Sequence, residues 1–226
     1  MTTLFIVATP IGNLEDITLR ALRILKEVDV VLCEDTRVTK KLLARYDIHT
    51  PTLSYHAHSK LSKVEHIFAL LQDGKNLALV SDAGTPTISD PGVLLVAKVR
   101  ERFKNEVAIV PIPGASAGIA ALSASGLPSS DFLFLGFLPH KKGRETLFRE
   151  IAASKRTVVF YESPHRILKT LASCAKHMPD RRITLARELT KLYEEFLSGT
   201  AEELEARFAR RPDTVRGEFV VLVAPA

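Results

Sequence analysis

Strand-like runs alternate with segments of helical periodicity through the first half of the chain, and this alternation constrains the fold more than any other feature. Leu4–Ala8 is continuously apolar, as a strand covered on both faces of a parallel sheet must be. Val28–Leu32, Thr52–Tyr55, Leu77–Val80 and Val107–Val110 read as the strands that follow. Between them, Ile17–Val28 places Ile17, Ala21, Leu22, Ile24 and Leu25 at helical spacing. Thr36 is read as the N-cap of a basic helix reaching Arg45. Leu61–Leu71 and about Gly92–Phe103 supply two more helices. A strand–helix alternation of this kind predicts parallel βαβ units.

Pro111-Ile-Pro-Gly-Ala-Ser116 then punctuates the chain and is read as a seam, giving domains of residues 1–112 and 113–226. A small-residue helix is expected over Ala115–Ser125. Strands follow at Phe132–Phe137, Thr157–Tyr161, Ile183–Ala186, Tyr193–Leu197 and Phe219–Val223, with helices near Arg144–Ala153, Arg166–His177 and Ala201–Ala209. The short connections late in the chain suggest a mixed sheet. The expected fold class is therefore α/β, a parallel-sheet N-terminal domain followed by a mixed-sheet C-terminal one.

A length of 226 residues, 46% hydrophobic and 25% charged, suits such a globular chain and argues against disorder. No apolar run approaches the roughly 20 residues of a membrane span, and Met1-Thr-Thr enters Leu4 with no basic leader. Two cysteines, Cys33 and Cys174, make no disulfide framework and fit a reducing cytoplasm; both are expected buried and inert. The net charge is +5. Residues 1–113 carry 14 Lys and Arg against 13 Asp and Glu, and residues 114–226 carry 17 against 13, so the excess lies in the second half. A mild basic excess is compatible with nucleic acid and equally with a metabolic enzyme.

In parallel sheets, ligands bind beyond the C-terminal ends of strands. Two loop-like stretches fall there: Ala8-Thr-Pro-Ile-Gly-Asn-Leu-Glu-Asp16, and Ser81-Asp-Ala-Gly-Thr-Pro-Thr-Ile-Ser-Asp-Pro-Gly92. The second exceeds ordinary connections, and long loops at strand ends tend to carry function. Neither is a dinucleotide fingerprint or a P-loop. Gly114-Ala-Ser116-Ala-Gly118 matches a nucleophile elbow and keeps a serine hydrolase in view. Downstream of Ser116, His140, His165 and His177 are available for a triad, but no histidine occurs in the last 49 residues, and small residues at a helix start equally admit close ligand approach. His56-Ala-His58 puts two imidazoles on one strand face, but zinc needs further ligands and only His66 is near, so no metal is expected. Tyr161-Glu-Ser-Pro-His-Arg166, Ala186-Arg-Glu-Leu-Thr-Lys191 and Arg216-Gly-Glu218 each join carboxylate and cation beside a strand, as ion-pair networks or as site residues.

These segments, with Cys33-Glu-Asp-Thr-Arg37, Pro113-Gly-Ala-Ser116 and Gly136-Phe-Leu-Pro139, occur in an order that resembles the 16S rRNA cytidine 2′-O-methyltransferases of the tetrapyrrole methylase superfamily. The resemblance covers essentially the whole chain. It implies an S-adenosyl-L-methionine-dependent enzyme that methylates the ribose of a cytidine in the decoding region of 16S rRNA. It also implies a homodimer, two α/β domains with the cofactor in the cleft between them, and the small ribosomal subunit as partner. Cofactor positions carry over onto Pro10, Asp82, Ala83, Gly84, Thr85, Ser116, Ala117, Phe137, Tyr161, Ala186 and Gly217. Ala115 stands where relatives usually have proline, and relatives commonly continue past the equivalent of Ala226 into a helical extension, an expected loss to the RNA grip. A superfamily member acting on a tetrapyrrole or another small molecule is the second reading.

A ribose hydroxyl is a weak nucleophile, so a proton acceptor should help. Placement at strand ends nominates Glu162 or Glu188, or Lys191 if its pKa is depressed. Asp35 and Arg37 are expected to orient the nucleotide. Phosphate contacts are expected from Arg37, Lys40, Lys41 and Arg45, and from Lys141, Lys142, Arg144, Arg166 and Lys191. With no Trp and four Tyr, base stacking is not prominent, which favours a shaped ribosomal surface over a free single strand.

Overall fold

A computed structural model describes residues 1–56, 61–90 and 92–226. The chain divides into two compact units, Met1–Ser116 and Ala117–Ala226.

The first unit is doubly wound. Its elements are β1 (Thr2–Val7), α1 (Leu19–Glu27), β2 (Val30–Cys33), α2 (Thr36–Arg45), β3 (Thr52–Ser54), α3 (Leu61–Gln72), β4 (Leu77–Leu79), α4 (Gly92–Phe103) and β5 (Val107–Ile112). The five strands form one sheet in the order β3-β2-β4-β1-β5, with every pairing parallel. Side-chain alternation separates two cores. Leu4, Ile6, Leu77 and Leu79 pack with Ile67, Leu71, Leu95 and Val99 of α3 and α4. Val7, Val31, Ala78 and Ile112 pack with Ala21, Leu25 and Leu43 of α1 and α2. All five strand ends therefore point the same way, and the loops after β1, β2, β4 and β5 share that edge.

Local chemistry sets the boundaries, and some differ from expectation. Thr18 caps α1, accepting from Ala21 N at 3.1 Å, after a 3-10 turn over Leu14–Asp16. Asp35, not Thr36, is the N-cap of α2: its carboxylate accepts from Arg37 N at 2.8 Å. The prolines at the seam do not stop β5. Pro111 pairs with Ile6 inside the strand, tolerated because β5 is an edge strand with no outer neighbour needing an N–H.

The second unit comprises α5 (Ala117–Ala124), β6 (Phe132–Phe137), α6 (Arg144–Ala153), β7 (Thr157–Glu162), α7 (Ile167–His177), β8 (Ile183–Arg187), β9 (Glu195–Gly199), α8 (Ala201–Arg210) and β10 (Phe219–Val223). Its sheet has the order β6-β7-β10-β8-β9; β6 and β7 are parallel and the remaining pairs antiparallel. Phe148, Ile151, Leu171, Cys174, Leu204 and Phe208 of α6, α7 and α8 pack on Val158, Phe160, Leu185, Phe219 and Val221, forming a core on one sheet face. Thr200 and Glu203 form a reciprocal capping box at the start of α8. Helix α5 begins at Ala117, two residues later than expected, after the extended Pro113–Ser116 stretch. Among the described residues, no helix is long and apolar enough to cross a membrane.

Candidate functional site

In the first unit, the loops after β1 and β4 are stapled together. Thr9 N donates to Gly84 O at 2.9 Å and Gly84 N returns the bond to Thr9 O at 3.0 Å. The buried Thr9 and Ser81 hydroxyls satisfy the same turn: Thr9 Oγ1 donates to Ser81 O at 3.2 Å, and Ser81 Oγ to Ala83 O at 3.2 Å. Gly84 has φ +83°, a backbone conformation that L-residues rarely adopt. Thr85 Oγ1 reaches the junction stretch at Ala115 O, 3.0 Å away. A Cβ on Gly114 would lie 2.8 Å from that of Ala8, so that glycine lets the junction lie against the end of β1. Pro10 and Gly84 are buried, whereas Asp82 and Ala83 stand exposed at the apex. Asp90 closes the far side by accepting from Thr87 N at 2.8 Å and Gly92 N at 2.7 Å.

Beside this loop, Asp82 Oδ1 accepts from Asp35 N at 3.1 Å. Arg37 grips the Asp35 carboxylate with Nε at 3.0 Å and Nη2 at 2.6 Å, which holds that carboxyl down at about 2. Burial, with help from Asp90 and Asp82, pushes the Glu34 carboxyl up. Lys40, Lys41 and Arg45 lie exposed on α2, opposite its buried Thr39 and Leu43.

In the second unit, sheet register brings motifs that are far apart in sequence to one edge. Phe137 is level with Tyr161, and Phe219 is level with both Glu162 and Arg187. Edge-on ring contacts join Tyr161 to Phe137 at 5.3 Å and to Phe134 at 5.2 Å between centroids. Phe137 is nevertheless 61% exposed, an aromatic surface presented at a strand end. The Tyr161 hydroxyl accepts from Gly118 N at 3.3 Å, and a side chain on Gly118 would press on Phe134, its Cβ 3.3 Å from the ring. Ala186 is completely buried within β8, which runs one residue further than expected, to Arg187.

Glu188 adopts φ +50° and lays its side chain over Gly217. Its Oε1 accepts from Glu218 N at 3.0 Å and from Lys191 Nζ at 2.9 Å; Lys191 also contacts Glu218 Oε2 at 2.8 Å. Burial pushes the Glu188 carboxyl up, but the Lys191 ammonium and the Glu218 N–H outweigh it and hold it below the ordinary range. Burial likewise pulls Lys191 down, and the Glu218 and Glu188 carboxylates outweigh it, so its pKa is raised. Lys191 is thus held charged, the opposite of the depressed amine a proton acceptor requires.

Glu162 also departs from the role expected of it. Its side chain is wholly buried, with Arg166 Nε 3.0 Å from Oε1, Arg144 Nη2 3.7 Å from Oε2 and Thr170 Oγ1 donating to Oε2 at 2.6 Å. No substrate hydroxyl reaches a carboxylate so enclosed. Arg144 and Arg166, at 14% and 15% side-chain exposure, are committed to this cluster and leave the set of phosphate contacts. Thr170 was invisible as a member from sequence, although the Glu162–Arg166 spacing of four at a strand–helix junction was a usable signal.

Ser116 directly precedes α5 and closes the first unit. His58 lies outside the described residues; among the described ones no group of three His, Cys, Asp or Glu is arranged to hold a metal. Cys33 and Cys174 are buried free thiols; burial pushes both up, Cys174 to about 12.

A parallel sheet with stapled strand-end loops, followed by a mixed sheet whose motifs converge on one edge, defines a two-unit α/β class. Within that class the chain belongs to the Tetrapyrrole (Corrin/Porphyrin) Methylases, whose family model matches residues 3–205, and it is a methyltransferase. It is 50% identical to the Ribosomal RNA small subunit methyltransferase I of Halalkalibacterium halodurans, over 98% of this chain and 75% of that one. To the protein of the same name from Thermotoga maritima it is 44% identical, over 99% of each, so not every relative continues beyond the matched region. Among solved structures, it resembles uroporphyrin-III C-methyltransferase from Thermus thermophilus complexed with S-adenosyl homocysteine. The TM-score is 0.64 at 19% identity, over 99% of this chain and 97% of that one, a likeness of fold.

Proposed function

We propose that the protein transfers the methyl group of S-adenosyl-L-methionine to the 2′-hydroxyl of a cytidine in the decoding region of 16S rRNA, with the small ribosomal subunit as substrate. The observation that carries this reading is near-full-length identity of 44–50% to proteins named for small-subunit rRNA methylation. The solved structures the chain resembles, at 20% identity or below, support only the fold.

The residues present fit the cofactor. Gly84, at φ +83°, turns the backbone of the loop after β4, the Asp82 carboxylate suits an amino group, and Phe137 offers an exposed aromatic face. The proposed contacts are Pro10, Asp82, Ala83, Gly84, Thr85 and Ser116, together with Ala117, Phe137, Tyr161, Ala186 and Gly217. When bound, the cofactor supplies an electrophilic methyl on a sulfonium. The chain's task is to align the ribose oxygen in line with that methyl and exclude water. As the O–C bond forms and the S–C bond breaks, the hydroxyl proton must leave. Glu188 is the proposed acceptor: it is only part-buried, and the bonds described for it fall on Oε1, leaving Oε2 for the substrate. Lys191 holds Glu188 ionised and adds positive charge facing a phosphate. Arg37, Lys40, Lys41 and Arg45 on α2, and Lys141 and Lys142 after β6, are the proposed phosphate contacts. A cytoplasmic homodimer completes the reading, and light scattering of the purified protein tests the dimer.

The test is transfer of labelled methyl to small subunits lacking the modification, with a porphyrin acceptor in parallel. Subunit labelling alone supports the proposal; porphyrin labelling alone overturns it. Glu188→Gln should keep cofactor binding and lower turnover by about 10²–10⁴.

A further inference from the structure

The Glu162 cluster does more than neutralise itself. Both guanidiniums reach past the carboxylate to the segment after β6. Arg166 Nη2 donates to Leu138 O at 2.7 Å, and Arg144 Nη1 donates to Pro139 O at 3.3 Å. Arg166 Nη1 also meets His140 Nε2 at 3.4 Å, and since arginine only donates, that ring nitrogen is the acceptor. Glu162 itself is fixed by Ser163 N at 3.0 Å and by Thr170 Oγ1. One wholly buried carboxylate therefore aims two forks at consecutive carbonyls. The segment they hold is a strap from Leu138 to Gly143. At one end it joins Phe137, paired with Tyr161 in the sheet; at the other it joins Arg144, the first residue of α6 and itself a clamp member. Exposed Lys141 and Lys142 ride on its middle.

The geometry points to Glu162 as a positioning residue that, through Arg166 and Arg144, fixes this strap so that Lys141 and Lys142 meet the rRNA backbone from a set position. Freed, two long lysines on a six-residue strap would have to be ordered at each encounter, an entropic cost the clamp removes in advance. This inference rests on the proposed rRNA substrate, so its test must separate the two.

The KM for small subunits and the KM for S-adenosylmethionine are measured for Lys141→Ala/Lys142→Ala, Glu162→Gln and Arg166→Lys. Arg166→Lys leaves the charges of the cluster unchanged while releasing Leu138 O, and so guards against simple misfolding of Glu162→Gln. The lysine pair should raise the subunit KM roughly tenfold. Each clamp variant should raise the same constant several-fold, leave the cofactor KM within about twofold, and add little when combined with the lysine pair. A purely structural role would lower kcat through the active fraction with both KM values unchanged, and that result overturns the proposal. Hydrogen exchange on the free protein reads the clamp independently of any substrate. Faster exchange confined to 138–143 in Arg166→Lys supports it, and unchanged exchange there overturns it. If exchange rises but the lysine pair leaves the subunit KM untouched, the clamp stands and the rRNA contact of the strap falls.

Discussion

Replacing Gly217 by alanine isolates the contact that holds Glu188 in place. Gly217 has φ +82°, and a Cβ there would lie 2.3 Å from Glu188 Cγ and 2.4 Å from Cδ. The left-handed backbone alone costs an L-residue about 1–2 kcal/mol. The clash is not with the free end of a long chain but with a side chain pinned by Glu218 N–H and Lys191. Displacing it forfeits one hydrogen bond, about 1 kcal/mol, and a partly exposed ion pair, at most about 1 kcal/mol. Gly126→Ala is the control: φ is +70° and nothing lies within 4 Å, so only the backbone cost applies. The unfolded-state benefit of alanine is common to both variants and cancels. Gly217→Ala should therefore be less stable than Gly126→Ala by about 2 kcal/mol, roughly 4–8 °C in Tm for a chain of this size. Thermal unfolding followed by circular dichroism measures the difference, and methyl transfer measures its consequence, since a displaced Glu188 cannot hold the proposed acceptor position. Equal melting temperatures for the two variants, or full turnover in Gly217→Ala, would refute the reasoning.

The remaining expectations follow from the charge pairs and burial. Arg37→Ala should let the Asp35 carboxyl rise from about 2 toward its ordinary 3.8, read by NMR titration, because Arg37 supplies the depression. Glu188 is depressed, so its stabilisation is present above its ordinary 4.5 and fades as pH falls through the lower folded value. Lys191 is raised, so its share is present below its ordinary 10.5 and fades as pH rises through the higher folded value. The Lys191→Met variant should therefore lose a stability increment that is flat from about pH 5 to 10, measured by Tm against pH. Cys33 and Cys174 should resist alkylation in the native protein and react on unfolding, counted by mass spectrometry. Neutralising Lys40 and Lys41 together should flatten the salt dependence of subunit binding by up to nearly two units of slope.

Much of the scaffold was legible because burial writes itself into strands: Leu4–Ala8 and Leu77–Val80 are short, continuously apolar runs of strand length, and the helices between them carry plain amphipathic spacing. Boundaries decided by a single side chain were less so. Asp35 and Thr36 are both good caps, and only the bond to Arg37 N distinguishes them. Pro111 reads as a strand breaker until β5 is known to be an edge. At the candidate site, the motifs were visible but their roles were not. Glu162 and Glu188 both end strands beside basic residues, yet one faces Arg144, Arg166 and Thr170 in the interior while the other lies part-exposed over Gly217. That difference depends on which helix packs against which strand end, and no local pattern encodes it. The same holds for Arg144 and Arg166, which look like phosphate ligands in a basic stretch and are instead internal braces of the strap.

The central claim is tested most directly by locating the methyl group itself. Small subunits lacking the modification are incubated with the protein and isotope-labelled S-adenosylmethionine, and the 16S rRNA is digested and mapped by mass spectrometry. A single label on the ribose of a decoding-region cytidine is the result expected. Label on a base, label elsewhere in the rRNA, or no label with the protein folded and cofactor bound would contradict the account.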